Sequence, residues 1–480
     1  MLQGTASGVG KSLLVAGLCR LLARSGVRVA PFKPQNMSNA SAACASGGEI
    51  GRAQALQAFA CGLEPRVEMN PVLIKPETDR RAQLVVSGRV RGTLCADRFG
   101  ADRAALLPEV LDAFERLRRE HDWIWVEGAG SPAEPNLRAG DIANMGFAEA
   151  AGVPVWLLGD IDRGGVFAAL LGTLEALEPA DRGRVQGLLV NRFRGDPALL
   201  GEAFEWLEKR ARRPVLGWIP YLPDLALPEE DAPYSFLESG RGAGSEGAAT
   251  ELRVAGVYYP RASNTSDLDP FAVDPGIDFE WLREPESLAG VDLVVLPGSK
   301  AVAADLAWLR ERGWVAALER HLRYGGRVLG ICGGMQMLGG RIRDPHGIEG
   351  PPETAGLGWL PVDAELRPEK SVRTLAERAR WPARVKFCGY EIRHGESRQD
   401  PRLYPFGAIS DDRRVLGTYV HGLFDRAGYR RAVLEAWLGL EGSSGEDLSD
   451  RWLRDLDRLA DALRDGLDLS DLERRVGEVV

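Results

Sequence analysis

Short apolar runs alternate with amphipathic stretches over residues 1–230. Between the runs, segments such as 11–24 and 103–119 carry apolar residues at the three- and four-residue spacing of a helix. The runs themselves have the continuous apolar character of strands buried on both faces, and they lie at 27–32, 123–128, 153–160 and 185–193. This alternation predicts a doubly wound α/β domain built on a parallel sheet.

A second series of the same kind begins at residue 251. Its apolar runs lie at 251–260, 291–299, 326–334 and 417–424. The segment 237–250 is rich in Gly, Ser and Ala, which is typical of a linker. After about residue 430 the chain is charged, with Leu and Trp at helical spacing, and we expect this helix to pack on its own domain. The predicted organisation is two doubly wound α/β domains at 1–232 and 251–435, a linker at 233–250 and a helical tail at 436–480.

The composition is ordinary for a globular protein, with 45% hydrophobic residues, 27% charged residues and a formal net charge of -9. Acidic and basic residues are mixed throughout, which argues against a dedicated nucleic-acid surface. No stretch has the roughly 18 apolar residues of a membrane span, and the N-terminus does not resemble a secretory signal. Six scattered cysteines show neither a CxxC pair nor metal-ligand spacing. We therefore expect a reduced, cytoplasmic protein without nucleic-acid or membrane partners, and the pattern predicts no oligomeric state.

A glycine-rich loop at Gly4–Ser12 opens the first predicted helix. Such a loop presents backbone N–H groups to phosphate oxygens, and we assign Thr5, Gly8 and Gly10 to nucleotide binding. Five residues separate Gly4 from Gly10, one more than in a strict Walker loop. This longer form resembles the loop of the dethiobiotin synthetase-like ATPases. The alternative is a Gly-rich turn with no ligand.

The loop ends in Lys11 and Ser12. We expect Lys11 to neutralise the β- and γ-phosphates of ATP, and the Ser12 hydroxyl to coordinate Mg²⁺. Only residues 1–3 precede the loop, so either the chain begins late or the strand that leads into the loop is unusually short.

Polar residues end several predicted strands, where ligands gather in an open parallel sheet. Lys33 follows the first of these runs, and Glu127 ends a strongly apolar one, where a bare carboxylate needs a partner. We expect Lys33 to bind nucleotide and Glu127 to bind Mg²⁺, against the alternatives of a solvated lysine and a structural salt bridge. Asp160 and Asp162 could hold metal or orient an acyl phosphate. Asn191 is assigned to the adenine edge, with turn capping as the alternative.

A nucleophile motif lies at 330–336, where the chain reads Gly-Ile-Cys-Gly-Gly-Met-Gln. A reactive side chain on a tight strand-to-helix elbow needs small flanking residues, because the strained turn leaves no room for a Cβ. We therefore assign Cys332 as the nucleophile, against the alternative of a buried structural thiol. Gly333 and Gly298 are expected to supply N–H donors to an oxyanion.

A cysteine nucleophile needs a general base or acid. His421 lies at the end of a late apolar run and is the candidate. His121, His321 and His346 stand in polar contexts, and we expect them at the surface.

The motif GxCxGxQ followed by a downstream histidine resembles the class I glutamine amidotransferases. The resemblance implies that Gly298, Gly333 and Gln336 bind glutamine and its oxyanion. Most of that class place a Glu two residues after the histidine to orient the ring, and here that position is Leu423. The missing carboxylate is a feature of the cobyric acid synthase and cobyrinate diamide synthase branch. Glu391 is one candidate for the group that orients His421.

The chain to about residue 430 resembles the cobyric acid synthase family. The segments that carry this resemblance include PFKPQNMS, GSPAEPNLR, DIANMG, DIDRGGVFA and GTYVHGLF. It implies amidation of the b, d, e and g carboxylates of adenosylcobyrinic acid a,c-diamide to adenosylcobyric acid, in cobalamin biosynthesis, with glutamine, ATP and Mg²⁺. Where the family usually has a His after GYEI, this chain has Arg393.

The implied mechanism divides between the two halves of the chain. Cys332 would release ammonia from glutamine through a thioester, and the N-terminal domain would phosphorylate a substrate carboxylate. Ammonia would then displace phosphate, after passing between the domains without meeting water. Three other functions stay open: cobyrinic acid a,c-diamide synthase, a partition-type P-loop ATPase switch, and a regulatory module with an inactive glutaminase site.

Overall fold

The computed structural model describes residues 1–78, 80–95, 99–228, 252–398, 400–403, 406–440 and 445–470. The predicted linker at 233–250 lies outside the described residues. The chain divides into two compact units: the first contains residues 1–38, 48–231 and 452–480, and the second contains residues 39–47 and 232–451. The short segment 39–47 therefore belongs to the unit that is built mainly from the second half of the chain.

The strands are numbered in chain order. Those before residue 228 are β1 (Leu2–Gly4), β2 (Val29–Phe32), β3 (Gln35–Met37), β4 (Ser41–Ala43), β5 (Glu49–Gly51), β6 (Val72–Thr78), β7 (Arg81–Val86), β8 (Arg89–Cys95), β9 (Trp123–Val126), β10 (Val155–Asp160), β11 (Val185–Phe193) and β12 (Val215–Pro220). Those after residue 251 are β13 (Leu252–Val257), β14 (Ala262–Ser263), β15 (Ile277–Leu282), β16 (Leu293–Leu296), β17 (Gly298–Ser299), β18 (Arg327–Ile331), β19 (Arg341–Arg343), β20 (Glu353–Ala355), β21 (Ala364–Arg378), β22 (Lys386–Ser397), β23 (Gly407–Ile409) and β24 (Val415–Thr418).

The α-helices follow the same convention. They are α1 (Lys11–Arg24), α2 (Arg52–Ala60), α3 (Phe99–Ala104), α4 (Leu107–Glu120), α5 (Pro135–Arg138), α6 (Met145–Ala151), α7 (Val166–Ala176), α8 (Pro179–Arg184), α9 (Gly201–Ala211), α10 (Asp269–Ala272), α11 (Val302–Glu311), α12 (Trp314–Arg323), α13 (Gly333–Leu338), α14 (Ala427–Val433) and α15 (Leu448–Gly466). Within the described part of the chain, we find no helix with both the length and the apolar character needed to cross a membrane.

A parallel sheet forms the centre of the first unit. Its hydrogen-bonded order is β1, β10, β11, β12, and β2 pairs in parallel with β9. Leu2 of β1 also bridges in parallel to Glu127, the residue after β9. The strands therefore follow the order β2, β9, β1, β10, β11, β12, with β1 in the interior. This arrangement confirms the predicted α/β fold of the N-terminal half.

The first strand is short and central at the same time. All three residues of β1 pair with β10, so the loop that follows β1 begins in the middle of the sheet. The helix predicted at 11–24 is α1. The helix predicted at 103–119 is instead divided, since α3 ends at Ala104 and α4 begins at Leu107. Pro108 lies in the first turn of α4, a position that favours the start of a helix and opposes its continuation from the preceding residues.

A second parallel sheet forms the centre of the second unit. Its order is β15, β13, β16, β18, β24, β23, and only β23, at one edge, runs antiparallel to its neighbour. A separate sheet contains the long antiparallel pair β21 and β22. The main sheet confirms the predicted α/β fold of the C-terminal half, and it places the ends of β16, β18 and β24 next to one another.

The C-terminal helix α15 packs on the first unit, which differs from the expected packing on its own domain. Residues 452–470 belong to the first unit. Arg20 of α1 forms an ion pair with Asp457 (2.7 Å). A Cβ added to Gly17 of α1 would lie 2.7 Å from Leu459 Cγ, so this glycine leaves the space that the apolar stripe of α15 fills. The helical pattern predicted an apolar stripe, but a stripe does not specify the surface that receives it.

Candidate functional site

The glycine-rich loop joins β1 to α1 in the first unit. The Thr5 N–H donates to Leu158 O of β10 (2.9 Å), which anchors the start of the loop. Gly8 and Gly10 have φ values of 70° and 96°, in the region that residues with a Cβ rarely adopt. The loop therefore curls tightly before the helix begins at Lys11, as in phosphate-binding loops.

Lys11 and Ser12 already make contacts within the protein. The Lys11 ammonium donates to the carbonyl oxygens of Ala6 and Gly130, both at 2.9 Å. The Ser12 hydroxyl donates to Glu127 Oε1 at 2.7 Å. The structure thus brings Ser12 together with the carboxylate that the sequence predicts as its companion in metal binding.

Glu127 is the centre of a buried hydrogen-bond network. Lys33 Nζ lies 2.8 Å from Glu127 Oε1, and both side chains are almost fully buried. Gln57 and Gln54 donate to Oε2 at 2.6 and 3.3 Å. Burial by itself raises the pKa of Glu127, but the charge of Lys33 and the hydrogen bonds of Lys33, Gln57 and Ser12 outweigh it and hold this pKa below its usual value. Glu127 is therefore an ionised carboxylate, and its contact with Lys33 is the salt bridge that the sequence left as an alternative.

The polar residues that end β10 and β11 also bind groups of the protein. Asn191 Nδ2 donates to Val9 O at 2.8 Å, which is the geometry of the turn-capping alternative. Asp160 accepts the Asp162 N–H at 3.0 Å and pairs with Arg192 at 3.0 Å. These contacts hold the loop and the strand ends in position. A role of Asn191 at the adenine edge stays a prediction.

A pocket of about 700 Å³ opens beside the glycine-rich loop. This volume is typical of a site for a small molecule or cofactor. Most of the residues predicted to bind nucleotide or metal line it, namely Thr5, Gly8, Gly10, Lys11, Ser12, Lys33 and Glu127. The structure therefore gathers these residues around one cavity of the first unit.

Cys332 occupies a strained turn between β18 and α13 in the second unit. Its φ and ψ are 51° and -106°, a combination that costs energy for a residue with a Cβ. A Cβ added to Gly330 would lie 2.5 Å from Leu338 Cδ1, and one added to Gly334 would lie 2.1 Å from Leu296 O. Packing at this elbow therefore requires the small flanking residues that the motif predicts.

His421 lies close enough to Cys332 for the thiol to raise the pKa of the ring. His421 follows the end of β24, where its backbone N–H and C=O pair with Tyr390 at 2.8 and 3.0 Å. The Tyr390 ring stacks on the imidazole, with 5.3 Å between the ring centroids. Cys332 Sγ also lies 3.8 Å from Ile392 O. The structure thus brings the predicted nucleophile and the predicted base together.

Gly298 and Gly333 lie beside this pair. A Cβ added to Gly298 would lie 3.6 Å from His421 Cε1. A Cβ added to Gly333 would lie 2.7 Å from the backbone nitrogen of Ser299. Gly298 therefore borders the imidazole, Gly333 follows Cys332 in the chain, and their role as oxyanion donors stays a prediction.

Gln336 is buried on the first turns of α13. Its side chain lies near Tyr419, whose hydroxyl pairs with Ser397 Oγ at 2.6 Å. These contacts hold Gln336 among polar groups of the second unit. Its role in glutamine binding stays a prediction.

A carboxylate that the sequence analysis missed contacts His421. Asp267 Oδ2 lies 2.7 Å from His421 Nδ1, and Asp267 Oδ1 accepts the Gly422 N–H at 2.8 Å. Asp267 belongs to a 3₁₀ turn, Thr265–Leu268, and precedes His421 by 154 residues. Nothing in its local sequence distinguishes it from the other acidic residues nearby, so only the fold identifies it.

The candidate Glu391 is wrong. This residue is fully buried, and its Oε2 pairs with Arg373 and Arg393, both at 3.1 Å. Two guanidinium groups therefore hold the Glu391 carboxylate. Arg393, which stands where the family usually has a histidine, contributes one of them.

His321 is buried, although its polar context predicts exposure. Its Nε2 pairs with Arg327 O at 3.0 Å, and burial lowers the pKa of the ring. A Cβ added to Gly326 would lie 2.1 Å from His321 Cε1, so the imidazole fills the space that this glycine leaves. Helical spacing alone could not show this, because the space belongs to the loop that follows α12.

Both halves of the sequence match known family models. Residues 1–234 match the model described as CobQ/CobB/MinD/ParA nucleotide binding domain, and residues 253–429 match the CobB/CobQ-like glutamine amidotransferase domain. The fold and the two sites thus define a nucleotide-binding domain joined to a glutamine amidotransferase domain.

Full-length relatives make the assignment more specific. The chain is 59% identical to the cobyric acid synthase of Halorhodospira halophila, over 98% of this chain and 95% of that protein. It is 48% identical to the cobyric acid synthase of Shewanella oneidensis, over 98% of each. The chain therefore belongs to the cobyric acid synthase family, as its motifs predict. A solved structure described as a glutamine amidotransferase is 19% identical and covers 39% of this chain and 99% of its own, with a TM-score of 0.31.

Proposed function

We propose that the protein amidates the b, d, e and g carboxylates of adenosylcobyrinic acid a,c-diamide, with ATP and glutamine, to give adenosylcobyric acid. The observation that carries this proposal is that His421 lies beside Cys332 in one unit. The other unit of the same chain contains a phosphate loop that ends in Lys11. A nucleophile–base pair for amide cleavage and a phosphate loop are the two halves of glutamine-dependent amide synthesis. The relatives at 59% and 48% identity support the corrinoid as the acceptor.

The second unit would release ammonia. Cys332 Sγ attacks the side-chain amide carbon of glutamine, His421 gives a proton to the departing nitrogen, and a γ-glutamyl thioester and ammonia result. The N–H groups of Gly333 and Gly298 stabilise the oxyanion of the tetrahedral intermediate, and Gln336 helps to bind the substrate. Water then hydrolyses the thioester to glutamate and restores Cys332.

The first unit would activate the acceptor. A carboxylate oxygen of the corrinoid attacks the γ-phosphorus of ATP, ADP leaves, and an acyl phosphate forms. The loop N–H groups of Gly8 and Gly10 hold the phosphates beside Thr5, whose own N–H anchors the loop to Leu158 O, and Lys11 offsets the charge that develops on them. Ammonia attacks the acyl carbon, phosphate leaves, and the amide is complete. Four such rounds consume four molecules each of ATP and glutamine.

Mg²⁺ fits the oxygen ligands beside the loop. Ser12 Oγ and Glu127 Oε1 lie 2.7 Å apart, and Mg²⁺ prefers such ligands together with phosphate oxygens and water. Among the described residues there is no group of three or more His, Cys, Asp or Glu side chains that could hold an ion by itself, so the phosphates would complete the site. Ser12 and Glu127 would hold the ion, which would neutralise phosphate charge, and Lys33 would then be available to phosphate.

The substrates in this proposal are all small molecules, and we place the reaction in the cytoplasm. The described cysteines, including Cys332, are free thiols. Reduced thiols are typical of that compartment, and the chemistry at Cys332 requires one.

The proposal is tested by incubating the full chain with MgATP, adenosylcobyrinic acid a,c-diamide and glutamine labelled with ¹⁵N in its side-chain amide. Mass spectrometry of the corrinoid should show four successive conversions of carboxylate to amide, each with one labelled nitrogen. A matched incubation without ATP should show none.

Two outcomes would contradict the proposal. Conversion of cobyrinic acid at two positions, with no reaction of the a,c-diamide, would assign the protein to cobyrinic acid a,c-diamide synthase. ATP hydrolysis without glutamine hydrolysis or amidation would favour a partition-type ATPase switch or a regulatory module.

A further inference from the structure

His421 is held by one carboxylate through two adjacent groups. Asp267 Oδ2 lies 2.7 Å from the ring Nδ1, and Oδ1 accepts the N–H of Gly422, the next residue, at 2.8 Å. Both Asp267 and His421 are buried, at 4% and 2% exposure. Because the carboxylate is hydrogen-bonded to both the ring and the adjoining backbone, it fixes the rotation of the imidazole as well as its position.

We propose that Asp267 is the positioning residue of the glutaminase centre, which holds His421 with its Nε2 available to Cys332 and stabilises the imidazolium form of the ring. The proposal rests on the glutaminase half of the proposed function. It assigns to a residue 154 positions upstream the orienting role that most class I amidotransferases give to a Glu two positions after the histidine. Here that position is Leu423, which is buried in the apolar core.

The turn that carries Asp267 is itself fixed. Asn264, directly before the 3₁₀ turn, has a φ of 51°, and its Oδ1 accepts the Ser41 N–H at 3.0 Å. Its Nδ2 donates to the Tyr390 hydroxyl at 3.3 Å, and the Tyr390 ring stacks on His421. One short turn is therefore tied to the imidazole by Asp267 and by Asn264 through Tyr390. Such support keeps a catalytic group within a narrow range of positions.

The nearby acidic residues have other partners. Glu391 is bound by Arg373 and Arg393. Asp305 accepts the Ser299 hydroxyl at 2.6 Å and the Arg261 N–H at 3.2 Å. Among the described residues, Asp267 is the carboxylate that pairs with His421. The orienting role therefore falls to Asp267.

The charge of His421 gives the proposal a measurable consequence. The titratable groups around the ring are Asp267, Cys332 and Tyr390, with Asp425 in the turn that follows. Burial lowers the pKa of His421, but the charge and hydrogen bond of Asp267, together with Cys332, raise it to about 10 overall. The ring is then an imidazolium at neutral pH, ready to give a proton to departing ammonia. Without the Asp267 charge, the main interaction that raises the pKa of His421 would be lost, while burial would still lower it. The ring would therefore lose its proton at a lower pH.

The test is Asp267→Asn in the full chain, with glutamate release measured against pH in the presence of MgATP and the corrinoid. The kcat for glutamine should fall by about 10²–10⁴-fold, as when the carboxylate that orients a catalytic histidine is neutralised, with little change in the KM for glutamine. The basic limb of the pH profile should move to lower pH. Amidation with free ammonia should stay close to that of the unaltered enzyme, because it does not use His421.

Asp274→Asn is the matched control. Asp274 is also a buried aspartate of the second unit, paired with Arg430 at 3.2 Å. Loss of the Asp274 charge should lower the stability of the protein without moving the basic limb of the pH profile. An unmoved basic limb and a kcat within about twofold for Asp267→Asn would overturn the proposal, and so would a shifted limb in Glu391→Gln instead.

A second measurement reads the charge of the ring directly in the unaltered enzyme. Long-range ¹H–¹⁵N NMR of the histidine-labelled, unaltered enzyme reads the protonation of each ring nitrogen, and the His421→Asn difference spectrum assigns the signal. The proposal expects an imidazolium with Nδ1–H at pH 8, and a neutral ring at pH 7 would overturn it. This result does not depend on the corrinoid, so an enzyme that fails to amidate the a,c-diamide would contradict the proposed function and leave this test intact.

Discussion

The candidate reactive groups of the second unit lie beside one another, whereas those of the first unit are bound to other groups of the protein. His421 lies beside Cys332 and is hydrogen-bonded to Asp267. In the first unit, the Lys11 ammonium is bound to two backbone carbonyls and Lys33 to Glu127. The difference follows from the chemistry. A covalent catalyst contains its own nucleophile. A phosphoryl-transfer site instead contains charged side chains that pair with the phosphates of the bound nucleotide.

The internal contacts of the first unit stabilise its buried charged side chains. A buried lysine or carboxylate without a partner is costly. Pairing Lys33 with Glu127, and Lys11 with Ala6 O and Gly130 O, keeps these charges in the pocket at a lower cost. Under the proposed function, MgATP would exchange one set of partners for another.

Removal of the nucleophile should have the largest effect and should affect only one unit. Cys332→Ala is expected to lower glutamine-dependent amidation by roughly 10⁴-fold or more, because no other group forms the thioester. Amidation with free ammonia should stay within about twofold. Corrinoid mass spectrometry with each nitrogen donor measures both. Cys388→Ala, at an exposed free thiol, should change neither rate, and equal loss with both donors in Cys332→Ala would contradict the division between units.

The local geometry of both candidate centres could be predicted because each depends on a contiguous motif. The loop from Gly4 to Ser12 and the elbow around Cys332 specify local turns whose chemistry does not depend on distant residues. The contact of Ser12 with Glu127 also follows from strand order, since the carboxyl ends of neighbouring parallel strands share one edge of the sheet. Family membership followed from longer motifs of the same local kind.

The parts that sequence patterns missed depend on which distant segments become neighbours. Asp267 approaches His421 from an irregular turn with no periodicity to place it. The surface that receives α15 includes the space beside Gly17, which no property of α15 itself indicates. Asn191 could be assigned equally to adenine or to the loop, because a strand end specifies where a side chain lies and leaves its partner open.

Loss of the phosphate-loop lysine should lower the rate of amidation with either nitrogen donor. Lys11→Ala is expected to reduce amidation by about 10²–10³-fold with glutamine and with ammonia alike, since both need the acyl phosphate that this charge helps to form. Basal glutamine hydrolysis should persist. Lys209→Ala, at an exposed lysine of the same unit, is the control and should be neutral. A Lys11→Ala enzyme that still amidates with ammonia at the normal rate would show that the loop is not the phosphoryl-transfer site.

Neutralising Glu127 should weaken the first unit in a pH-dependent way. Glu127→Gln leaves Lys33 buried beside an amide, which should lower the free energy of unfolding by roughly 3 kcal/mol at pH 7. The pKa of Glu127 is held below its usual value in the folded state, so its stabilising effect is present above the unfolded pKa and is lost as pH falls through the folded one. The difference between the two proteins should therefore shrink at acidic pH.

Urea unfolding of both proteins at pH 7 and at successively lower pH, to well below the ordinary Glu pKa, measures this difference. Glu205→Gln is the matched control, because Glu205 pairs with Lys209 at 3.5 Å on the exposed face of α9, where such a pair contributes little. Equal stability of the unaltered protein and Glu127→Gln at pH 7 would contradict a role of this carboxylate in holding Lys33.

The smallest expected effect concerns the support of the second centre. Tyr390→Phe removes the hydroxyl that donates to Ser41 O at 2.9 Å and accepts from Asn264, while the ring that stacks on His421 remains. Since the buried Ser41 carbonyl loses this donor, unfolding free energy should fall by about 1 kcal/mol. Glutaminase kcat should fall by no more than about threefold, because Asp267 still holds the imidazole. Thermal unfolding and glutamate release measure the two effects.

Tyr429→Phe, in the same unit, is the control for this stability change and should not lower the free energy of unfolding. The Tyr429 hydroxyl is buried and has no hydrogen-bond partner among the described residues, so its removal should leave stability unchanged or raise it. If Tyr390→Phe were as neutral as Tyr429→Phe, the bond to Ser41 would not contribute to stability. If Tyr390→Phe instead lowered kcat as much as Asp267→Asn, the orientation of His421 would depend on the segment 39–47 as strongly as on Asp267. The second centre would then be less independent of the N-terminal half of the sequence than its own hydrogen bonds imply.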